Sequence, residues 1–190
     1  PSRQAGLPRH GAVSLAGRLV PDDPPGPCAR ERGVLHHEHA VDEYVRAVDL
    51  FEELAPFAAG LEINISCPNI AAGGCAMGST PEGVAEVIRA VRSHTKRPLL
   101  VKMAPARVVE VAQALEAEGA DALTVINSIS GMAIDVDTRR SRLSRPTGGM
   151  SGPALHPIAV RMVWEVHNAV NIPIVGVGGV MTGRDAAEFI

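Results

Sequence analysis

The sequence predicts an α/β protein built around a buried parallel sheet, and three observations carry that prediction. From Gly60 onward, short apolar runs alternate with polar loops and then with stretches of helical period. The chain is 46% hydrophobic but only 3% aromatic, rich in Ala, Val, Ile, Leu and Gly, which suits a sheet covered by helices. Its 190 residues fall within the usual size of one domain and hold enough apolar surface for a sizeable core.

Along the chain, the first candidate strand is 11–15. Residues 16–40 follow with no apolar period and contain Pro21-Asp22-Asp23-Pro24-Pro25-Gly26-Pro27 and His36-His37-Glu38-His39, so they read as a long surface insertion. A helix is expected at 41–57 and a strand at 61–65. Thr80-Pro81-Glu82 supplies an N-cap hydroxyl, a proline at the first helical position and an early carboxylate, which starts a helix at 81–93. Val84, Val87, Ile88 and Val91 share one face of it, and Arg89, Arg92 and Lys96 fall elsewhere. Strand 99–103 leads to helix 108–118, which Gly119 ends, and Ala120-Asp121 connects to strand 122–126. Residues 131–151 interrupt the rhythm again, closing on Gly148-Gly149-Met150-Ser151-Gly152, on the carboxyl side of a strand where α/β folds place ligands. Helix 153–169, strand 174–177 and a helix from 183 to the end complete the pattern. Each strand is expected to be buried on both faces. Five βα units do not close an eight-stranded barrel, and the sequence looks cut at both ends.

Composition excludes several partners. A net charge of -3 and a pI near 6.2 argue against nucleic acid or an anionic membrane as the main ligand. Apolar runs such as 172–177 are far shorter than the roughly 20 residues of a membrane helix, and residues 1–20 lack a signal-peptide core. Cys28, Cys67 and Cys75 form neither an even disulfide framework nor a CxxC pair, so a reducing cytoplasm is the expected setting. His36, His37 and His39 lack companions at ligand spacing, and no metal site is predicted. Arg139, Arg140, Arg142 and Arg145 lie beside Asp135 and Asp137 and read as a solvated hairpin.

Four places carry candidate chemistry. Cys67 follows a strand directly and precedes Pro68, where a thiol either faces a ligand or packs as a small hydrophobe. The neighbouring Asn64, Ser66 and Asn69 would need partners if buried, which a polar planar ligand or local turns would supply. Lys102 sits inside the apolar run Leu99-Leu100-Val101-Lys102-Met103 and must reach solvent or meet an anionic or electron-rich partner. Asn127-Ser128 repeats the arrangement of an amide at a strand end, which is also ordinary turn chemistry. Gly148-Gly149 and Gly176-Val177-Gly178-Gly179 precede helices, where bare backbone N–H groups cradle phosphate or an anionic ring edge.

Taken together, Leu61-Glu62-Ile63-Asn64-Ile65-Ser66-Cys67-Pro68-Asn69, Val101-Lys102, Gly119 to Asn127, Thr147 to Ala154 and Ile172 to Gly179 resemble class 1 dihydroorotate dehydrogenases. The resemblance is nearest to the NAD-linked B-type catalytic subunit. It implies an eight-stranded (β/α)8 TIM barrel around FMN, of which this chain would hold about five units. It implies oxidation of dihydroorotate to orotate in pyrimidine (UMP) synthesis, with Cys67 taking a proton from C5 while hydride leaves C6 for the flavin. By the same resemblance, Asn64 meets both flavin and substrate, and Asn69, Asn127 and Ser128 bind the pyrimidine. Lys102, Ile126, Gly152, Gly178 and Gly179 contact FMN. A partner subunit with FAD and an iron–sulfur cluster is implied, in a homodimer or heterotetramer. Ser14 stands where the family has an FMN-contacting asparagine, and the last βα unit with its Gly-Thr phosphate contact is absent. A fumarate-linked class 1 enzyme, a dihydropyrimidine dehydrogenase-like domain and a truncated, non-catalytic remnant are the alternatives.

Overall fold

The computed structural model describes residues 37–66 and 78–190. Candidate strand 11–15 with Ser14, residues 16–36, and Cys67, Asn69 and Cys75 lie outside them. The elements in order are α1 (His37–Leu54), β1 (Leu61–Asn64), α2 (Pro81–Arg92), β2 (Leu99–Lys102), α3 (Val108–Ala117) and β3 (Ala122–Val125). Then come β4 (Ile129–Gly131), β5 (Ile134–Asp135), β6 (Arg140–Ser141), β7 (Gly148–Met150), α4 (His156–His167), β8 (Ile174–Gly176) and α5 (Gly183–Ala187).

β1, β2, β3 and β8 form one parallel sheet in that order, with Asn64 level with Lys102 and Lys102 level with Thr124. The α/β alternation therefore holds for four of the five expected strands. Side chains alternate across a strand, so Leu61, Ile63, Leu99, Val101, Leu123 and Val125 join one apolar cluster with Val84, Val87, Ile88 and Val91 of α2 and with Val111 and Leu115 of α3. Full burial of each such side chain contributes ~1.5–3 kcal/mol. The opposite face carries Glu62, Asn64, Lys102 and Thr124. Burial on both faces, expected of every strand, is observed only for β3; β1 and β2 alternate, and β8 is partly exposed. Helices cover one face of this sheet, so every second residue of β1 and β2 keeps contact with solvent.

Local chemistry sets the boundaries. Thr80 caps α2 by accepting from the Gly83 N–H at 3.2 Å, and Pro81 opens the helix, as its sequence requires. The helix expected at 41–57 starts earlier, at His37, because residues 37–40 contain neither proline nor glycine, and it stops before Pro56. The last four residues of the expected 16–40 insertion are therefore helical. The first turn of the helix expected at 153–169 is 3-10, Pro153–Leu155, after Gly152 at φ 98°. Stretch 131–151 is folded: β4 pairs with β7 and β5 with β6, both antiparallel, and Arg139, Arg140 and Arg142 stand on or directly beside the β5–β6 hairpin.

At the amino end of the sheet, Arg92 donates to Asp121 at 2.8 Å and to the carbonyls of Thr95 and Arg97 at 2.6 and 2.8 Å. Asp121 also accepts the Leu99 N–H at 2.8 Å, and Glu52 of α1 accepts from Thr95 and Arg97. No helix of the described residues is long and apolar enough to cross a membrane.

Candidate active site

The carboxyl end of the same sheet gathers most of the polar residues singled out in the sequence. β1 ends in Asn64, whose backbone carbonyl accepts from the Tyr44 hydroxyl of α1 at 3.0 Å. Its side-chain oxygen accepts from the Ser66 N–H at 3.1 Å and the Ser66 hydroxyl at 2.5 Å. β2 ends in the half-buried Lys102. Beside it, Thr124 donates to Glu62 at 2.6 Å, so β1 and β3 are linked across β2.

After β3 the chain bends into the site. The Val125–Ile126 peptide is cis, the Ile126 N–H donates to Val177 O at 3.2 Å, and the Asn127 N–H donates to Met103 O at 3.0 Å. The Asn127 amide donates to the Ser66 hydroxyl at 2.6 Å, and its oxygen accepts the Ser128 N–H at 2.8 Å. Gly149 of β7 runs so close to Ser128 that a Cβ there would lie 2.3 Å from the hydroxyl oxygen.

Gly178 and Gly179 turn at φ 140° and 66°. A Cβ at 178 would meet the Ala159 Cβ at 2.7 Å, and one at 179 would meet Gly152 O at 2.6 Å, so glycine is required at both. His156 holds this turn from α4: its Nδ1 is 2.9 Å from Gly178 O, and a carbonyl only accepts, so Nδ1 carries the proton. The imidazole packs edge-on against Phe189, centroids 5.1 Å apart. Beyond the turn, Thr182 and Asp185 close a capping box on α5, and the N–H groups of Met181 and Thr182 hold the Asp185 carboxyl below its ordinary pKa. His156, Asp185 and Glu188 bring three ligand-type atoms within 4.8 Å, but an Asp185 oxygen already serves the two N–H groups.

A cleft of about 400 Å³ opens between these segments, lined by Lys102, Ile126, Asn127, Ser128, Gly178 and Gly179 among others. Six positions chosen from the sequence thus share one cavity. Gly152 and Asn64 stand outside the lining; Gly152 follows the lining residue Ser151, and Asn64 is joined to Asn127 through Ser66. Cys67 and Asn69 lie outside the described residues. A recess of about 600 Å³ on the β5–β6 hairpin, lined by Asp135, Thr138, Arg140, Ser141 and Arg142, contains none of the selected residues. There the backbone and hydroxyl of Thr138 hold the Asp135 carboxyl low, as turn chemistry does.

The sequence reading assigned no role to Ser151 or Leu155, and it named Ser66 only as a hydroxyl in need of a partner. Ser66 was legible from the Asn-x-Ser spacing, which suits a side-chain-to-backbone turn. Leu155 carried no signal, because a leucine lining a cleft reads like a leucine in a core.

A family model described as dihydroorotate dehydrogenase matches residues 5–190. The chain belongs to the dihydroorotate dehydrogenase family. It is 50% identical over 153 residues to the catalytic subunit of dihydroorotate dehydrogenase B (NAD(+)) from Bacteroides fragilis, covering 80% of this chain and 50% of that protein. The subunit of the same name from Trichlorobacter lovleyi is 49% identical over 151 residues, 78% of this chain and 49% of its own length. That from Geotalea uraniireducens is 48% identical over 154 residues, with coverages of 80% and 50%. The chain spans about half the length of these dihydroorotate dehydrogenases.

Proposed function

We propose that this chain serves the FMN-dependent oxidation of dihydroorotate to orotate in de novo pyrimidine synthesis, as the catalytic subunit of an NAD-linked B-type enzyme. The observation that carries the reading is the cleft at the carboxyl end of the sheet, where Lys102, Asn127, Ser128 and the Gly178-Gly179 turn converge. In this reading the four parallel strands are an arc of a (β/α)8 barrel, the arrangement typical of the family. The site suits a flat, anionic cofactor with a phosphate tail. Its wall at Gly178 and Gly179 is bare backbone, and Lys102 supplies a cation that has no ion-pair partner among the described residues.

Bound FMN would supply the hydride acceptor. Lys102 would stabilise negative charge on the cofactor ring, Ile126, Gly152, Gly178 and Gly179 would hold it through backbone contacts, and Asn64 would meet both it and the substrate. Asn69, Asn127 and Ser128 would hold the pyrimidine ring, and Cys67, next in sequence to Ser66, would take the proton from C5. A thiol of ordinary pKa about 8.5 serves as a base near neutrality where its surroundings favour the thiolate. The B-type reading adds an FAD and iron–sulfur partner subunit and a cytoplasmic location. It rests on the names of relatives close to 50% identical.

Anaerobic titration tests the proposal. The FMN-loaded protein should bleach on adding dihydroorotate. Cys67→Ala should keep its flavin spectrum and bleach about 10²–10⁴ times more slowly, the range for loss of a general base. Undiminished bleaching by Cys67→Ala overturns the base assignment, and failure to take up FMN overturns the reading as a whole.

A further inference from the structure

The donors and acceptors at the strand ends give their hydrogen bonds a fixed direction. Two backbone N–H groups fix the two amides, because an N–H must point at an oxygen. The Ser128 N–H makes the nearer atom of Asn127 its Oδ1, at 2.8 Å, and the Ser66 N–H does the same for Asn64, at 3.1 Å. Asn127 Nδ2 therefore lies against the Ser66 hydroxyl at 2.6 Å, and a nitrogen of this kind can only donate. The hydroxyl oxygen accepts that proton, so its own hydrogen goes to Asn64 Oδ1 at 2.5 Å.

This one-way chain has a consequence for recognition. Asn64 Oδ1 receives two protons and its acceptor capacity is filled, so the group it has left is the Nδ2 amine, which only donates. Lys102, level with Asn64 in the neighbouring strand, is a donor as well. We propose that Ser66 is a positioning residue that makes Asn64 a donor-only contact, so that this corner of the site selects carbonyl or carboxylate oxygens of the ligand and refuses ring N–H groups. An asparagine that offered both a donor and an acceptor would read either edge of a pyrimidine. Ser66 removes that ambiguity and ties Asn64 to Asn127, whose contacts are made from a different strand. The inference rests on the proposed pyrimidine site and adds a direction to it.

The test uses the FMN-loaded protein, with ligand binding followed by the shift in flavin absorbance, so that turnover is not needed. Orotate is compared with its 2-thio and 4-thio analogues, in which a carbonyl oxygen becomes a sulfur that accepts hydrogen bonds poorly. The wild-type protein should bind at least one thio analogue about tenfold more weakly than orotate, a difference of about 1.4 kcal/mol. Ser66→Ala keeps the backbone N–H on Asn64 Oδ1 but frees the second lone pair that the hydroxyl fills and unties Asn127, so it should weaken orotate binding several-fold and cut the thio penalty by at least half, while Ser66→Thr, which keeps the hydroxyl, restores both. The penalty is a ratio measured within one protein, so a variant that folds less completely still reports it. A full penalty in Ser66→Ala, or none in the wild type, overturns the proposal.

A second readout needs no ligand. The side-chain amide resonances of Asn64 and Asn127 should be distinct and slow to exchange in the wild type, and both should move and exchange faster in Ser66→Ala. Unchanged resonances would show that the chain is not formed. If the wild-type protein binds FMN but neither orotate nor its analogues, the pyrimidine reading itself fails, a result separate from the loss of direction at Ser66.

Discussion

The two ends of the four-stranded sheet are both polar, yet they use polarity for opposite purposes. At the amino end, Arg92, Asp121, Thr95, Arg97 and Glu52 meet one another and the backbone, and Asp121 closes on the Leu99 N–H at 2.8 Å. At the carboxyl end, Lys102 has no ion-pair partner among the described residues, and the Asn64 amine is directed away from the oxygen that Ser66 holds. The amino end closes its hydrogen bonds on itself, while the carboxyl end leaves donors that the proposed ligand would take. That division is the usual one in α/β folds, where chemistry collects beyond the carboxyl ends of the strands.

Three changes probe that division, the largest first. Arg92→Ala should strip donors from Thr95 O, Arg97 O and Asp121 together and cost ~2–3 kcal/mol, in the range for part-buried groups left unsatisfied. A lower denaturant midpoint with unchanged FMN affinity is expected, and a large loss of affinity would blur the distinction between the ends. Gly179→Ala should act at the carboxyl end, where φ is 66° and a Cβ would meet backbone atoms at 2.6 and 2.8 Å. It should cost ~1–2 kcal/mol in stability and weaken FMN binding more than tenfold by moving the turn, as read by flavin fluorescence titration.

The smallest effect is on acid stability. The Asp185 carboxyl is held below its ordinary pKa first by the Met181 N–H and then by the Thr182 N–H. Its folded pKa is lower than its unfolded value of about 3.9, so its contribution is complete above that pH and is lost as pH falls through the folded value. Asp185→Asn should therefore flatten the acid limb of the stability curve below about pH 4 while leaving its slope near neutrality unchanged, as urea midpoints across that range would show.

Much of this was legible in the sequence. Thr80-Pro81 marked the start of α2, Gly119 marked the end of α3, and the apolar runs marked four strands to within one or two residues, because capping, proline geometry and period-two burial are local properties. Lys102, Asn127, Ser128, Gly178 and Gly179 were named from motifs and Ile126 from the family resemblance, and all six share one cleft. Three features were not legible. The pairing of β4 with β7 depends on contacts between residues such as Ile129 and Met150, far apart in sequence, whereas the β5–β6 hairpin was legible in its aspartates and arginines. The early start of α1 was hidden by a stretch whose composition resembles a loop. Burial on both faces was over-read, because an apolar run does not reveal how many layers will cover it.

By itself, then, the sequence determined which segments become strands and helices and which residue types stand at the strand ends, since both follow from neighbours a few positions apart. Tertiary structure alone decided that Ser66 would lie between Asn64 and Asn127, two amides at the ends of different strands. A hydrogen bond's direction depends on every donor around it, and the Ser128 N–H that fixes this one stands 62 positions after Ser66 in the chain.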